Sequence, residues 1–290
     1  IVADTDIHAV WTPDFTVIST AEELMALANA TSGFYGLTAD LDLTGWDAAV
    51  TYELTNKVYA VTGGLTLPEG VTFTGDGHRI TGLTGPLFGY VKGTIKNCII
   101  DGANIKIRGI FGAFAAELSG KLDNCHVKNS TLVSGGDYSR IGLFAGDAVT
   151  GATFTECTTD EGSKVTGWRN LTIGGFVARA VGEVTFTDCE SNADLSGFTG
   201  SNVIVGGFAG KAVNGNFRFE NCVSNATIVI SQNSIKAAGI VAVMEYYPTT
   251  VTIVNCTNNG RIVITGNDAV AGGAAAYIYR AGDISIDGFV

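Results

Sequence analysis

GGFVARAVGEVTFTDCESNADL (174–195) and GGFAGKAVNGNFRFENCVSNATI (206–228) are two copies of one pattern. Each opens on Gly-Gly-Phe, places an aromatic residue three positions before a cysteine, and leaves that cysteine through a short polar step. The pattern extends both ways along the chain. Cys98, Cys125, Cys157, Cys189, Cys222 and Cys256 recur at intervals of 27, 32, 32, 33 and 34 residues, within TIKNC, KLDNC, TFTEC, TFTDC, RFENC and TIVNC. The glycine phrases GAFAA, GLFAG, GGFVA, GGFAG, AGIVA and GGAAA keep step with them. Repetition at such a period marks a stacked fold, in which each unit buries its apolar face against the next.

Aligned on the glycine phrase, Phe88, Phe114, Phe144, Phe176, Phe208, Ile240 and Ala274 share one phase. Ile95, Leu122, Phe154, Phe186, Phe219 and Ile253 share a second, with Ile286 extending it. A third run with strand alternation lies between each Cys and the next glycine phrase, clearest in ATIVI (226–230) and GRIVI (260–264). These runs are short and rich in Val, Ile, Thr and Phe. A helical solenoid needs 3.6-period stripes of about 10–15 residues, and a propeller blade needs four strands over ~40 residues. The pattern therefore predicts an all-β chain: a right-handed, single-stranded parallel β-helix with three strands per coil and coils of about 26–34 residues.

Residues 1–290 are expected to form a single domain, with 1–69 as an N-terminal cap and irregular first coils and 70–290 as repeated coils. ISTAEELMALANA (18–30) predicts a short capping helix, with Ser19 and Glu22 as its capping box and Leu24, Leu27 and Ala28 as its buried stripe. ISIDGFV at the end shows no comparable cap, so the last rung is expected to be covered by another element or continued.

In such a coil like residues stack ~4.8 Å apart. Asp101, Lys128, Asp160, Asn192, Asn225 and Asn259, three positions after each Cys, are expected to sit at a left-handed corner and to form an amide ladder. The cysteine column predicts buried free thiols acting as small apolar groups, not disulfides. It predicts no metal site either, since zinc needs four ligands converging on one point.

Hydrophobic residues make up 46% of the chain and charged residues 16%, which excludes disorder. A net charge of −11 without a basic stripe argues against nucleic acid and against anionic membranes. No run of about 18 apolar residues occurs, so no transmembrane segment is expected. IVADTDIHAVW at the start lacks a signal-peptide pattern, so any export signal is expected to have been removed. No cofactor is implied.

STAEELMALANA, GFYGLTADLDLTG and GVTFTGDGHRITGLTGPLFGYVKGTIKNCIIDG, with GLFAG (142–146) and GGFAG (206–210), resemble bacterial cell-surface β-helix proteins carrying GLUG-type repeats, within the pectate-lyase-like β-helix group. The resemblance covers roughly residues 15–290. It implies an extracellular or cell-surface location in bacteria and an adhesin-like role. The implied partner is a polysaccharide, a host surface glycan or another protein. It brings no catalytic set that can be placed residue by residue.

Two constellations carry possible chemistry. Glu156 and Asp188 each precede a Cys on adjacent rungs, where carboxylates ~5 Å apart repel by roughly 3 kcal/mol at an effective dielectric of about 20. That spacing suits a retaining glycosidase. Alternatively both occupy the corner position held elsewhere by Asn97, Asn124, Asn221 and Asn255. Tyr138 (GGDYSR), Trp168 (TGWRN) and Phe198 (SGFTG) follow one another at 30-residue steps, with Arg140 and Arg169 alongside. Exposed, they would make an aromatic strip for sugar rings; alternatively the rings fold back over the corner. Glu245-Tyr246-Tyr247-Pro248 interrupts a later repeat, and such insertions often mark a contact face.

Glu117, Asp147, Arg179 and Lys211 align as a column expected to face solvent, where an ion pair is worth ~0–1 kcal/mol. His8, His78 and His126 have no partner motif. The expected function is therefore a non-catalytic surface module that binds glycan or protein. A polysaccharide lyase or glycosidase using acidic residues is one alternative, and a structural spacer is another.

Overall fold

The computed structural model describes residues 14–279 and 282–290, so His8 lies outside the described residues. One short helix and a 3-10 turn lie near the N-terminus; the other elements are strands. The strands stack in parallel, each paired with its copy one rung away: Ile95 lies opposite Leu122, and Leu122 opposite Phe154. The chain is a parallel β-helix.

Each rung starts at the glycine phrase, as in Ala115–Leu118, and continues through the pre-cysteine strand, Lys121–Asp123. In later rungs these two runs fuse, as in Val177–Thr187. The interval from Cys to the next glycine phrase, a single run in the sequence, divides into three strands such as Ile99–Asp101, Asn104–Ile107 and Ile110–Phe111. Its corners fall at Gly102 (φ 71°) and Gly109 (φ 130°), where the absence of a Cβ permits the turn.

The left-handed corner column lies one residue before each Cys, not three after. Asn97, Asn124, Glu156, Asp188, Asn221 and Asn255 all have φ between 48° and 53°. Short polar side chains tolerate that conformation best, which explains the Asn and Asp there. Both columns nevertheless carry amide ladders. The Nδ2 of Asn124 donates to Oδ1 of Asn97 at 2.9 Å. Farther along, Asn225 donates to Asn192 at 2.8 Å and Asn259 to Asn225 at 3.1 Å.

The core is built from two phenylalanine stacks. Phe144, Phe176 and Phe208 stack at 4.5 and 4.7 Å, and Phe154, Phe186 and Phe219 at 4.7 Å throughout. The two stacks meet edge to face, with Phe176 to Phe186 at 5.9 Å. These spacings follow the interstrand distance, so the rung repeat itself sets the ring geometry. All six cysteines are free and buried. Each inner thiol donates to a carbonyl of the preceding rung, as Cys157 does to Leu122 at 3.5 Å and Cys189 to Phe154 at 3.5 Å.

Helix Ala21–Ala26 closes the N-terminal end with Leu24 and Leu27 buried. Its capping box is Thr20 with Glu23, one residue later than Ser19 with Glu22. Thr20 takes the extended backbone an N-cap needs; its hydroxyl accepts from Glu23 N at 3.2 Å, and the Glu23 carboxylate accepts from Thr20 N at 3.1 Å. At the other end, Ala275–Tyr279 and Ile284–Asp287 pair with Val241–Val254 and leave Ile278 and Ile286 exposed.

One element leaves the stack. Thr51–Thr55 and Val58–Gly63 form an antiparallel hairpin whose turn, Asn56-Lys57, is left-handed at both positions (φ 51° and 68°). That is the geometry two-residue hairpin loops prefer. The hairpin lies across the glycine-phrase face. The Tyr90 hydroxyl donates to the Val61 carbonyl at 2.9 Å. Gly109 makes room for the Tyr52 ring, which a Cβ there would meet at 2.9 Å.

Candidate functional site

Glu156 and Asp188 occupy successive positions of the left-handed corner, both exposed. Asn221 Nδ2 donates to Asp188 Oδ1 at 2.9 Å, as in the rest of the ladder. Both side chains are open to solvent, and Asp188 is tied into the corner ladder through Asn221. The thiols are unsuited to chemistry: burial pushes Cys98 up to about 12 and raises Cys157 and Cys189 well above the ordinary thiol value. His126 is held between Thr158 Oγ1 at 2.7 Å and Asn124 Oδ1 at 3.1 Å, and His78 stands 3.6 Å from Asp40.

The aromatic strip is not continuous. Phe198 is 5% exposed and packs in the core, because its loop folds back over the corner. Trp168 is 52% exposed, with the Arg169 guanidinium 4.5 Å from its ring and 3.0 Å from Asp137. Arg140 does not stand beside the strip. Its side chain, 9% exposed, turns inward to make two bonds to Asp147, at 2.7 and 2.8 Å, and a third to the Tyr59 carbonyl of the hairpin at 2.7 Å.

Those bonds belong to the charged column. Glu117, Asp147, Arg179 and Lys211 do lie opposite one another in register. The column does not simply face solvent, because Asp147 is 1% exposed and accepts also from Arg179 at 2.6 Å. Arg140 closes over it from the side. Lys211 pairs with Glu245 at 2.6 Å. Burial first, and Asp147 second, raise the pKa of Glu117 against the opposing pull of Arg179, Arg140 and Lys92.

Above this network opens a cleft of about 320 Å3. One wall is the hairpin tip, Lys57 and Val58; the floor carries Arg140, Arg179 and Lys211; the far rim is Glu245 and Tyr246, with Tyr138 on the near one. The Lys57 ammonium lies 6.0 Å from the centre of the Tyr138 ring. The cleft thus joins Tyr138 and Arg140 to the insertion at Glu245, and leaves Trp168 and Arg169 outside its lining.

The backbone of the cleft is unusual. Tyr138 (φ 63°) and Tyr246 (φ 70°) are the two aromatic residues among the described non-glycine residues with positive φ. In the next rungs the position of Tyr138 is held by Asn170 and Asn202, also left-handed. A tyrosine there costs roughly 1–2 kcal/mol of backbone strain, and such strain gathers where side chains must be held for use. Tyr246 is placed by a register shift opposite Val213–Gly215, where buried Thr249 accepts from Asn214 N at 2.9 Å.

The sequence signal for Lys57 was present but short. TYELT and VYAVTG alternate on either side of Asn56-Lys57, a hairpin pattern inside what reads as irregular first coils.

No known family profile matches the chain, and no curated protein matches it. Among solved structures it is similar to a "putative immunoglobulin A1 protease" from Bacteroides ovatus, with 19% identity, a TM-score of 0.64, and coverage of 92% of this chain and 84% of that one. It is also similar to a chain named IgA1 Protease, with 17% identity and a TM-score of 0.57, covering 90% of this chain and 21% of that much longer one. At these identities the likeness is one of fold: the chain shares its β-helix with proteins bearing the immunoglobulin A1 protease name.

Proposed function

We propose that the chain is a secreted or surface-displayed bacterial β-helix module that binds a saccharide in the cleft between the hairpin tip and the Tyr246 insertion. The observation that carries this is the pair of left-handed tyrosines on one cleft, Tyr138 where the next rungs use asparagine and Tyr246 in an insertion. Aromatic faces beside hydrogen-bond donors suit the apolar face and hydroxyls of a sugar ring. The β-helix neighbours, one of them far longer than this chain, favour a module that positions or recognises within a larger surface protein. Binding is preferred to turnover because Glu156 and Asp188 are exposed corner residues.

A glycan array probed with the wild-type chain and with Tyr138→Ala/Tyr246→Ala tests the proposal. Retention of a glycan by wild type and its loss in the double variant is the expected result. A glycan held equally by both removes the cleft as the site. Trp168→Ala serves as a separate probe of the exposed rim.

A further inference from the structure

Resting on the binding role above, we infer that the cleft selects saccharides carrying a carboxylate, and that Arg179 and Lys57 read that group. The charges around the cleft do not cancel. Asp147 serves two guanidinium groups, Arg140 through two bonds and Arg179 through one. Lys211 is answered by Glu245, and Lys92 lies near Glu117. Among the described residues Lys57 has no carboxylate within ion-pair distance. Four cations, Lys57, Arg140, Arg179 and Lys211, thus line the cleft against two carboxylates, Glu245 on its rim and Asp147 beneath it, within a chain whose net charge is −11.

Arg179 is the group best placed to use this surplus. Its Nη2 is taken by Asp147, while its Nε is enclosed without an acceptor. Its side chain is 30% exposed on the cleft lining, so it is held in place and still open to a ligand. A carboxylate meets the exposed part of the guanidinium through a charge-assisted bond, stronger than the bond a neutral hydroxyl makes there. Lys57 approaches from the opposite wall at the tip of the hairpin. Tyr138 and Tyr246 on the rims supply the faces a sugar ring needs.

The size of the ligand follows from the surrounding field. Screening limits the reach of the cleft's cations to ~8 Å at physiological salt. A long polyanion would meet an acidic surface beyond that range, whereas a short acidic oligosaccharide or end group would meet the local surplus alone. The chemistry is shared by hexuronates and sialic acids.

The test is calorimetric titration of the chain with trigalacturonate and with sialyllactose, each beside its neutral counterpart, the carboxyl-reduced trisaccharide and lactose. At least one acidic sugar is expected to bind about tenfold or more tightly than its neutral partner, as one charge-assisted contact allows. Which acid shows the advantage identifies the source. Arg179→Gln and Lys57→Ala should each reduce that advantage. Lys57 lies on an exposed turn outside the Asp147 network, so its variant tests the inference independently of Arg179→Gln. Equal binding of acid and neutral sugar would overturn the inference and leave saccharide binding standing. An acidic advantage that survives Lys57→Ala and a folded Arg179→Gln would also overturn it. Binding of none of the four would sink both.

Discussion

Replacing Asp147 with Asn separates a solvated ion pair from a buried one. An exposed pair at this position would contribute ~0–1 kcal/mol. The carboxylate is instead 1% exposed and accepts three guanidinium bonds at 2.6, 2.7 and 2.8 Å. Asparagine keeps the volume and one acceptor oxygen but removes the charge, stranding Arg140, whose side chain is 9% exposed. Removing one partner of a buried pair costs about 3–5 kcal/mol, because the remaining charge is left uncompensated. The retained amide oxygen places the expected loss near ~3 kcal/mol.

Urea unfolding followed by circular dichroism measures that loss, and a double-mutant cycle with Arg140→Gln isolates the pair. A second readout is local. Arg140 also holds the Tyr59 carbonyl, so trypsin should cut faster after Lys57 in the variant. Arg179→Ala, at a site 30% exposed, should cost about 1 kcal/mol or less. A loss below about 1 kcal/mol for Asp147→Asn, with unchanged cleavage at Lys57, would refute the burial argument.

The raised pKa of Glu117 means that its carboxyl holds a proton more tightly folded than unfolded. Stability from this group is therefore full below the ordinary value of 4.5 and lost as pH rises through the folded value. Glu117→Gln should melt higher than wild type at neutral pH, and the gap should close as pH falls below 4.5; a pH-independent gap would contradict this. Phe176 touches the Phe144, Phe154, Phe186 and Phe208 rings, so Phe176→Ala should cost ~3–5 kcal/mol in chemical denaturation. The six thiols should resist iodoacetamide in the native chain and all react once it is unfolded; rapid labelling of a folded thiol would show that the column is open.

The parallel stack was legible because a rung repeat writes the same residues at the same phase. Phe114, Phe144, Phe176 and Phe208 must stack if any two of them do. Corners were harder. A left-handed residue and its ladder neighbour can both be Asn, so composition alone did not say whether Asn124 or Lys128 marked the bend. Burial of Asp147 was invisible from the repeat, since Arg140, which closes over it, is itself held by a hairpin carbonyl more than eighty residues away in sequence. For the same reason Arg140 read as a surface donor. Tyr138 is marked in the sequence by its aromatic ring, whereas its left-handed backbone leaves no signal there. Phe198 shared its spacing but not its fate, because its loop folds inward.

The amide ladders also have a direction. Asn124 gives its proton to Asn97, Asn221 to Asp188, Asn225 to Asn192, Asn259 to Asn225 and Asn202 to Asn170. The thiols give theirs backward as well, Cys157 to Leu122 and Cys189 to Phe154. Every one of these donors looks toward the start of the chain. Aligned bonds polarise one another, so the rod carries an axial polarity in its side chains, as an α-helix does in its backbone. Reversing a single amide in mid-ladder would set oxygen against oxygen on one side and nitrogen against nitrogen on the other. The fold therefore has a head and a tail even where its rungs are alike.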